Sequence, residues 1–129
     1  MRLFVALDVD PAGFRDELAD IRGRVECPAK FVDPDKLHVT LKFLGEVERS
    51  RLPELQGKLD PLEGFGKFPA WLRGLGAFPR PGSARVLWMG VDSPRLVELA
   101  SAVRAQLKGV RESRHSFHPH LTLARIKEG

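Results

Sequence analysis

Cysteine is nearly missing from this chain. Cys27 is the only one, so no disulfide can form within it, and a reducing compartment is the simplest setting. Long apolar runs are missing too. The N-terminal run in MRLFVALDVD is seven residues and includes Asp8, which is too short and too acidic for a signal peptide. No stretch approaches the ~20 apolar residues that a membrane span requires. These absences predict a soluble, cytoplasmic protein with no membrane partner.

What is present is an ordinary globular balance. Hydrophobic residues make up 43% and charged residues 29% of 129 positions, enough for one domain or two small lobes sharing a core. The net charge is +4, which suits a phosphate-bearing partner and equally a solvated basic surface. The charge is unevenly placed. Residues 104–129 hold six Lys/Arg (Arg104, Lys108, Arg111, Arg114, Arg125, Lys127) against Glu112 and Glu128.

Periodicity gives a coarse element map. RLFVALDV (2–9) reads as a buried strand, and Asp10-Pro11 as the cap and first turn of a helix. Phe14, Leu18, Ile21 and Val25 would form one apolar face of that helix. After a turn at Asp33-Pro34-Asp35, a strand is expected from Leu37 to Phe43, closed by Gly45. Residues 50–59 form a short helix candidate with Leu52, Leu55 and Leu59 aligned. Residues 61–85 carry five glycines and four prolines. They read as loop plus hairpin, with a strand over 68–78, a turn at PRPGS and a strand over 84–91. Ser93-Pro94 opens another helix, whose buried face is Leu96, Ala100, Val103 and Leu107, and Gly109 ends it. FHPHLTLARI (117–126) is the last strand. The order predicts a layered α/β or α+β protein.

The chain repeats itself. Shifting by 83 residues lays RLFVALDVDP on RVLWMGVDSP, with Arg2 on Arg85 and Pro11 on Pro94. At almost the same shift, His38-Val39-Thr40-Leu41 falls on His120-Leu121-Thr122-Leu123. Strand, helix and histidine strand therefore occur twice in one order, which predicts two pseudo-symmetric lobes. Residues 1–60 supply the first, 61–83 a connector and hairpin, and 84–129 the second.

Side chains two apart on a strand point the same way. His38 and Thr40 then share one face, as do His120 and Thr122, while Val39, Leu41, Leu121 and Leu123 point opposite. If the polar faces meet, two imidazoles and two hydroxyls line one site. A histidine titrates near pH 6.5, so one can accept a proton while the other donates. The hydroxyls can donate hydrogen bonds to phosphate oxygens. That set suffices for in-line hydrolysis of a phosphodiester, with neither carboxylate nor metal. One such word alone is more often structural; its duplication in equivalent places is what points to function.

The stretches HVTLKFLGE and HPHLTLAR resemble the paired H-x-T-x motifs of the two-histidine (2H) phosphoesterase superfamily. Within it, MRLFVALDV and GLGAFPRPGSARVLWMGV are similar to the RNA 2',3'-cyclic phosphodiesterases, long called 2'-5' RNA ligases or LigT-like proteins. The resemblance implies a bilobal α+β fold with two antiparallel sheets around a central cleft and helices outside. It implies metal-independent hydrolysis of RNA 2',3'-cyclic phosphate ends to a 2'-phosphomonoester, without cofactor. In that scheme His38 gives a proton to the leaving 3' oxygen and His120 takes one from water. Thr40, Thr122 and Arg125 hold the phosphate. Strict alternation would turn Arg125 away from His120, so a twist, a bulge or its own length must bring it back. Phe43 also matches a family position, with core packing as its expected role. Family members continue past the second motif, which predicts a shortened C-terminal portion here and self-association through the exposed sheet edge.

Other residues admit other readings. His115, His118 and His120 form H-x-x-H-x-H, but without a nearby cysteine or acid this is weak zinc spacing. Trp71 and Trp88 could stack on bases, although Trp88 in a strand run fits the core. Two alternatives stand beside RNA end hydrolysis: a phosphodiesterase for a small 2'-5'-linked or cyclic nucleotide, and an RNA-binding module whose catalysis has lapsed. Reversible 2'-5' ligation is implied by the family name.

Overall fold

A computed structural model describes residues 1–78, 85–110 and 117–127. The expected PRPGS turn and His115 lie outside the described residues. Six strands and three α-helices are present among the described residues: β1 (Arg2–Asp8), α1 (Arg15–Arg24), β2 (Ala29–Phe31), β3 (His38–Glu46), α2 (Leu52–Leu59), β4 (Trp71–Phe78), β5 (Val86–Asp92), α3 (Pro94–Gln106) and β6 (His120–Ile126).

Local chemistry sets several boundaries. The Asp10 carboxylate accepts from the Ala12 N–H and Pro11 sits in the first turn, but this builds a 3-10 turn, Pro11–Gly13, ahead of α1. The Ser93 hydroxyl caps α3 by accepting from the Leu96 N–H, with Pro94 following, as expected. The buried stripe of α3 is the expected one, extended by Leu99.

Three expectations change. β1 alternates exposed and half-buried residues rather than being buried throughout. β3 does not close at Gly45 but runs through it to Glu46, Gly45 taking φ 69°. The apolar face of α1 is only half-covered, because Leu18 and Ile21 border a hollow of about 210 Å³ shared with Phe31, Leu37 and Leu123.

The strands are hydrogen-bonded in the order β1-β3-β6-β5-β4, with β2 also paired to β6. The pairings of β6 with β2, β3 and β5 are all antiparallel, so the architecture is α+β. The two expected sheets are continuous in their hydrogen bonding. β6 runs along β5 on one edge, and on the other meets first β3 and then β2. The order also carries the internal repeat, since β1 and β3 correspond to β5 and β6.

The chain divides into two compact units. One comprises Met1–Ala6, Thr40–Trp71 and Asp92–Pro119. Its core is helical, with Leu55 of α2 and Leu96, Ala100, Val103 and Leu107 buried on and beside α3. The Arg95 guanidinium lies 4.1 Å over the Phe65 ring, a cation–π contact that holds the chain after α2. The other unit comprises Leu7–Val39, Leu72–Val91 and His120–Gly129. Its core is Leu37, Val39, Leu121, Leu123 and Ala124. No helix among the described residues is long and apolar enough to cross a membrane.

Candidate active site

The two histidine words are joined through their second residues. Val39 of β3 pairs with Leu121 of β6, and both are buried. Residues directly opposite in an antiparallel pair point to the same face, so Val39 and Leu121 share the buried side. Their neighbours take the other side. His38 therefore lies across from Thr122, and His120 is its diagonal neighbour at roughly 7–8 Å between Cα atoms. The half-buried state of His38, His120 and Thr122 fits a face that is open to a ligand.

Arg125 joins this face through a bulge. On β5, Val86, Trp88 and Gly90 alternate regularly and so point one way. Their partners on β6 are Arg125, Thr122 and His120, with a register shift between Leu87 and Trp88. Leu123 is the extra residue. Leu123 and Ala124 are both buried, and alternation resumes one step later with Arg125 exposed beside Thr122. A bulge re-aims a side chain in this way, and it supplies the route that strict alternation denied.

A similar doubling of buried residues occurs in β3. There Leu41 and Lys42 are both buried, and Phe43 follows with 64% exposure. The expectation that Phe43 packs in the core is thus overturned. Its ring meets that of Phe4, itself exposed, at 6.2 Å.

His38 has a defined tautomer. Its Nδ1 lies 3.0 Å from the Lys36 carbonyl oxygen. A carbonyl only accepts, so Nδ1 carries the hydrogen and donates it. The exchangeable proton is then the one on Nε2.

His120 is held by aromatic rings. Phe78 and Trp88 stand edge-on to it at 5.6 and 5.9 Å, and they stack on each other at 5.2 Å. Trp88 was expected in the core. It is instead half-buried on the histidine face, because its β5 position points with Val86 and Gly90. Gly76 of β4 explains how the indole fits, since a Cβ there would collide with the Trp88 six-membered ring. The alternation of β5 carried this signal, because it aligns Trp88 with the partners of His120 and Thr122.

His118 is exposed, and Trp71 is exposed at the start of β4. Among the described residues no group of three His, Cys, Asp or Glu could hold a metal ion. Opposite Arg125 on β2 stands Lys30, which the sequence did not single out because a three-residue strand leaves no periodic trace.

Known proteins share this arrangement of chain. The model of the family described as LigT-like phosphoesterases matches residues 7–88, which include the first histidine word. An RNA 2',3'-cyclic phosphodiesterase of Archaeoglobus fulgidus is 41% identical over 132 aligned residues, covering 98% of this chain and 73% of the relative. Among solved structures, TT0787 of Thermus thermophilus superposes with a TM-score of 0.83 at 34% identity, over 100% of this chain and 76% of that one. Escherichia coli LigT complexed with 3'-AMP gives a TM-score of 0.69 at 34% identity, over 98% and 74%.

Proposed function

The chain belongs to the LigT-like phosphoesterases of the 2H superfamily, and we propose that it hydrolyses RNA 2',3'-cyclic phosphate ends to 2'-phosphomonoesters. The observation that carries this reading is the Val39–Leu121 pairing. It sets two imidazoles and the Thr122 hydroxyl on one face of adjoining strands.

The chemistry follows from those groups. His120 takes a proton from water as the water oxygen attacks phosphorus in line with the P–O3' bond. That bond breaks, and protonated His38 gives its Nε2 proton to the departing 3' oxygen. The P–O2' bond is left intact. Thr40 and Thr122 donate hydrogen bonds to the nonbridging oxygens, and Arg125 adds a charge-assisted contact. The Nδ1–H bond to the Lys36 carbonyl leaves Nε2 as the nitrogen that carries the transferred proton when His38 is protonated. The name of the Archaeoglobus relative supports the substrate class. The 3'-AMP complex of the Escherichia coli relative also favours a second reading, a small nucleotide as substrate.

Incubation with a short RNA ending in a 2',3'-cyclic phosphate tests the proposal. The expected product carries a 2'-phosphate only. A 3'-phosphate product, or turnover confined to free nucleotides, would overturn it. The reading also includes self-association through the β4 edge and a cytoplasmic location.

A further inference from the structure

We infer that Lys30 extends the Arg125 contact into a second phosphate subsite, for the phosphate on the 5' side of the terminal nucleotide, with the Arg125 guanidinium bridging that phosphate and the reacting one. The inference rests on the function proposed above and names the substrate class it prefers: an oligoribonucleotide rather than a lone cyclic nucleotide.

The two residues stand directly opposite each other in the antiparallel β2–β6 register. Side chains in such a pair point to the same face and lie close. That face is the histidine face. Arg125 is also the partner of Val86, and Trp88, two residues on, is the partner of Thr122. Phe31 and Ala124, the next pair along, take the opposite face, where Phe31 borders the hollow under α1. Lys30 and Arg125 thus continue the line of His120 and Thr122 along β6.

Their charge has no counterpart in the surrounding strands. No Asp or Glu occurs in residues 27–32, 85–91 or 117–127. Among the described residues neither Lys30 nor Arg125 is seen in an ion pair, and both are exposed. Two cations directly across a strand pair repel each other. An anion between them removes that repulsion, and a phosphate diester offers two oxygens to be shared by an ammonium and a guanidinium. With the bulge at Leu123, Arg125 and Thr122 pair with Val86 and Trp88, two positions apart on β5, which sets them roughly 7 Å apart along the strands. A phosphate one nucleotide removed from the reacting one falls within reach of the long Lys30 and Arg125 side chains. A single cyclic nucleotide without a 5'-phosphate has nothing to place there.

The test compares two substrates in wild type and Lys30→Gln. One is a 2',3'-cyclic mononucleotide with a free 5'-hydroxyl. The other is a short RNA ending in 2',3'-cyclic phosphate. The ratio of kcat/KM for RNA to that for the mononucleotide should fall about tenfold in Lys30→Gln, and Lys30→Arg should largely restore it. The salt dependence of RNA binding should lose about one unit of slope, as expected for one lost phosphate contact. Binding of an RNA ending in 2'-phosphate, followed by fluorescence anisotropy, gives a readout independent of turnover. If the wild type hydrolyses neither substrate, the proposed function fails, and the anisotropy comparison still decides the subsite. An unchanged ratio with unchanged RNA affinity in Lys30→Gln would refute the subsite while leaving the proposed function standing.

Discussion

Val39 and Leu121 face each other across β3 and β6, and they are the same letter of the two histidine words, 82 residues apart. Each histidine precedes its paired residue by one position, so both emerge on the same side of the strands. Leu121 is 0% exposed and Val39 is 1% exposed, so a one-residue slip would bury the imidazoles and expose these apolar side chains. The packing that stabilises the core is therefore also what sets His38 and His120 on one face.

His38→Ala and His120→Ala should each lower kcat for the cyclic phosphate by ~10²–10⁴-fold. Neither should unfold the protein, because both rings are only half-buried. Thr40→Ala and Thr122→Ala each remove one donor to a charged group, worth about 1.5–3 kcal/mol, so losses of roughly 10- to 100-fold are expected. The wild-type pH–rate profile should be bell-shaped, because the mechanism needs one histidine to accept a proton and the other to donate one. Steady-state kinetics with circular dichroism on each variant make the check. Full activity in either histidine variant would sink the acid–base mechanism.

Gly76→Ala should act at a distance. The added methyl meets the Trp88 indole, which must move, and the indole flanks His120. Overpacking of this kind costs about 1–3 kcal/mol of stability. Activity measured well below the melting temperature should fall as well, in kcat more than in KM, because the change displaces the proposed proton acceptor rather than the proposed phosphate contacts. A variant that melts earlier but keeps wild-type kcat would show that the aromatic rings do not position His120.

Activity should persist in excess EDTA. Acid, base and hydrogen-bond donors in the proposed mechanism are all side chains of the protein. Loss in EDTA that zinc or manganese restores would instead point to His115, His118 and His120 as ligands.

Much of this site could be read from the words themselves. The spacing of His38, Thr40, His120 and Thr122 fixes which residues share a face wherever strand geometry holds, and the apolar letters between them anchor the register. Arg125 could not be placed that way. One extra residue reverses alternation, and a bulge at Leu123 leaves no mark that separates it from any other buried leucine. Phe43 is exposed although it follows two buried residues, Leu41 and Lys42, and strand alternation alone does not give that pattern. Trp88 was misjudged because an aromatic residue in an apolar run reads as core until its partner strand is known. β2 went unseen because three residues hold little more than one period of strand alternation, too few to stand out.

The edge strand supplies the last prediction. β4 ends the strand order and carries exposed Trp71, Leu75 and Phe78 at 56, 53 and 41%. An edge strand presents unpaired backbone N–H and C=O groups that can template another strand. Each ~100 Å² of apolar surface kept from water is worth roughly 2.5 kcal/mol, large against a typical total of ~5–15 kcal/mol. Association of two chains through β4 would gain on both counts. Size-exclusion chromatography with light scattering should show a mass above the 14.4 kDa of one chain, falling on dilution. Leu75→Lys places a charge on the edge and should shift the equilibrium to monomer. A monomer at all concentrations would rule out association through this edge.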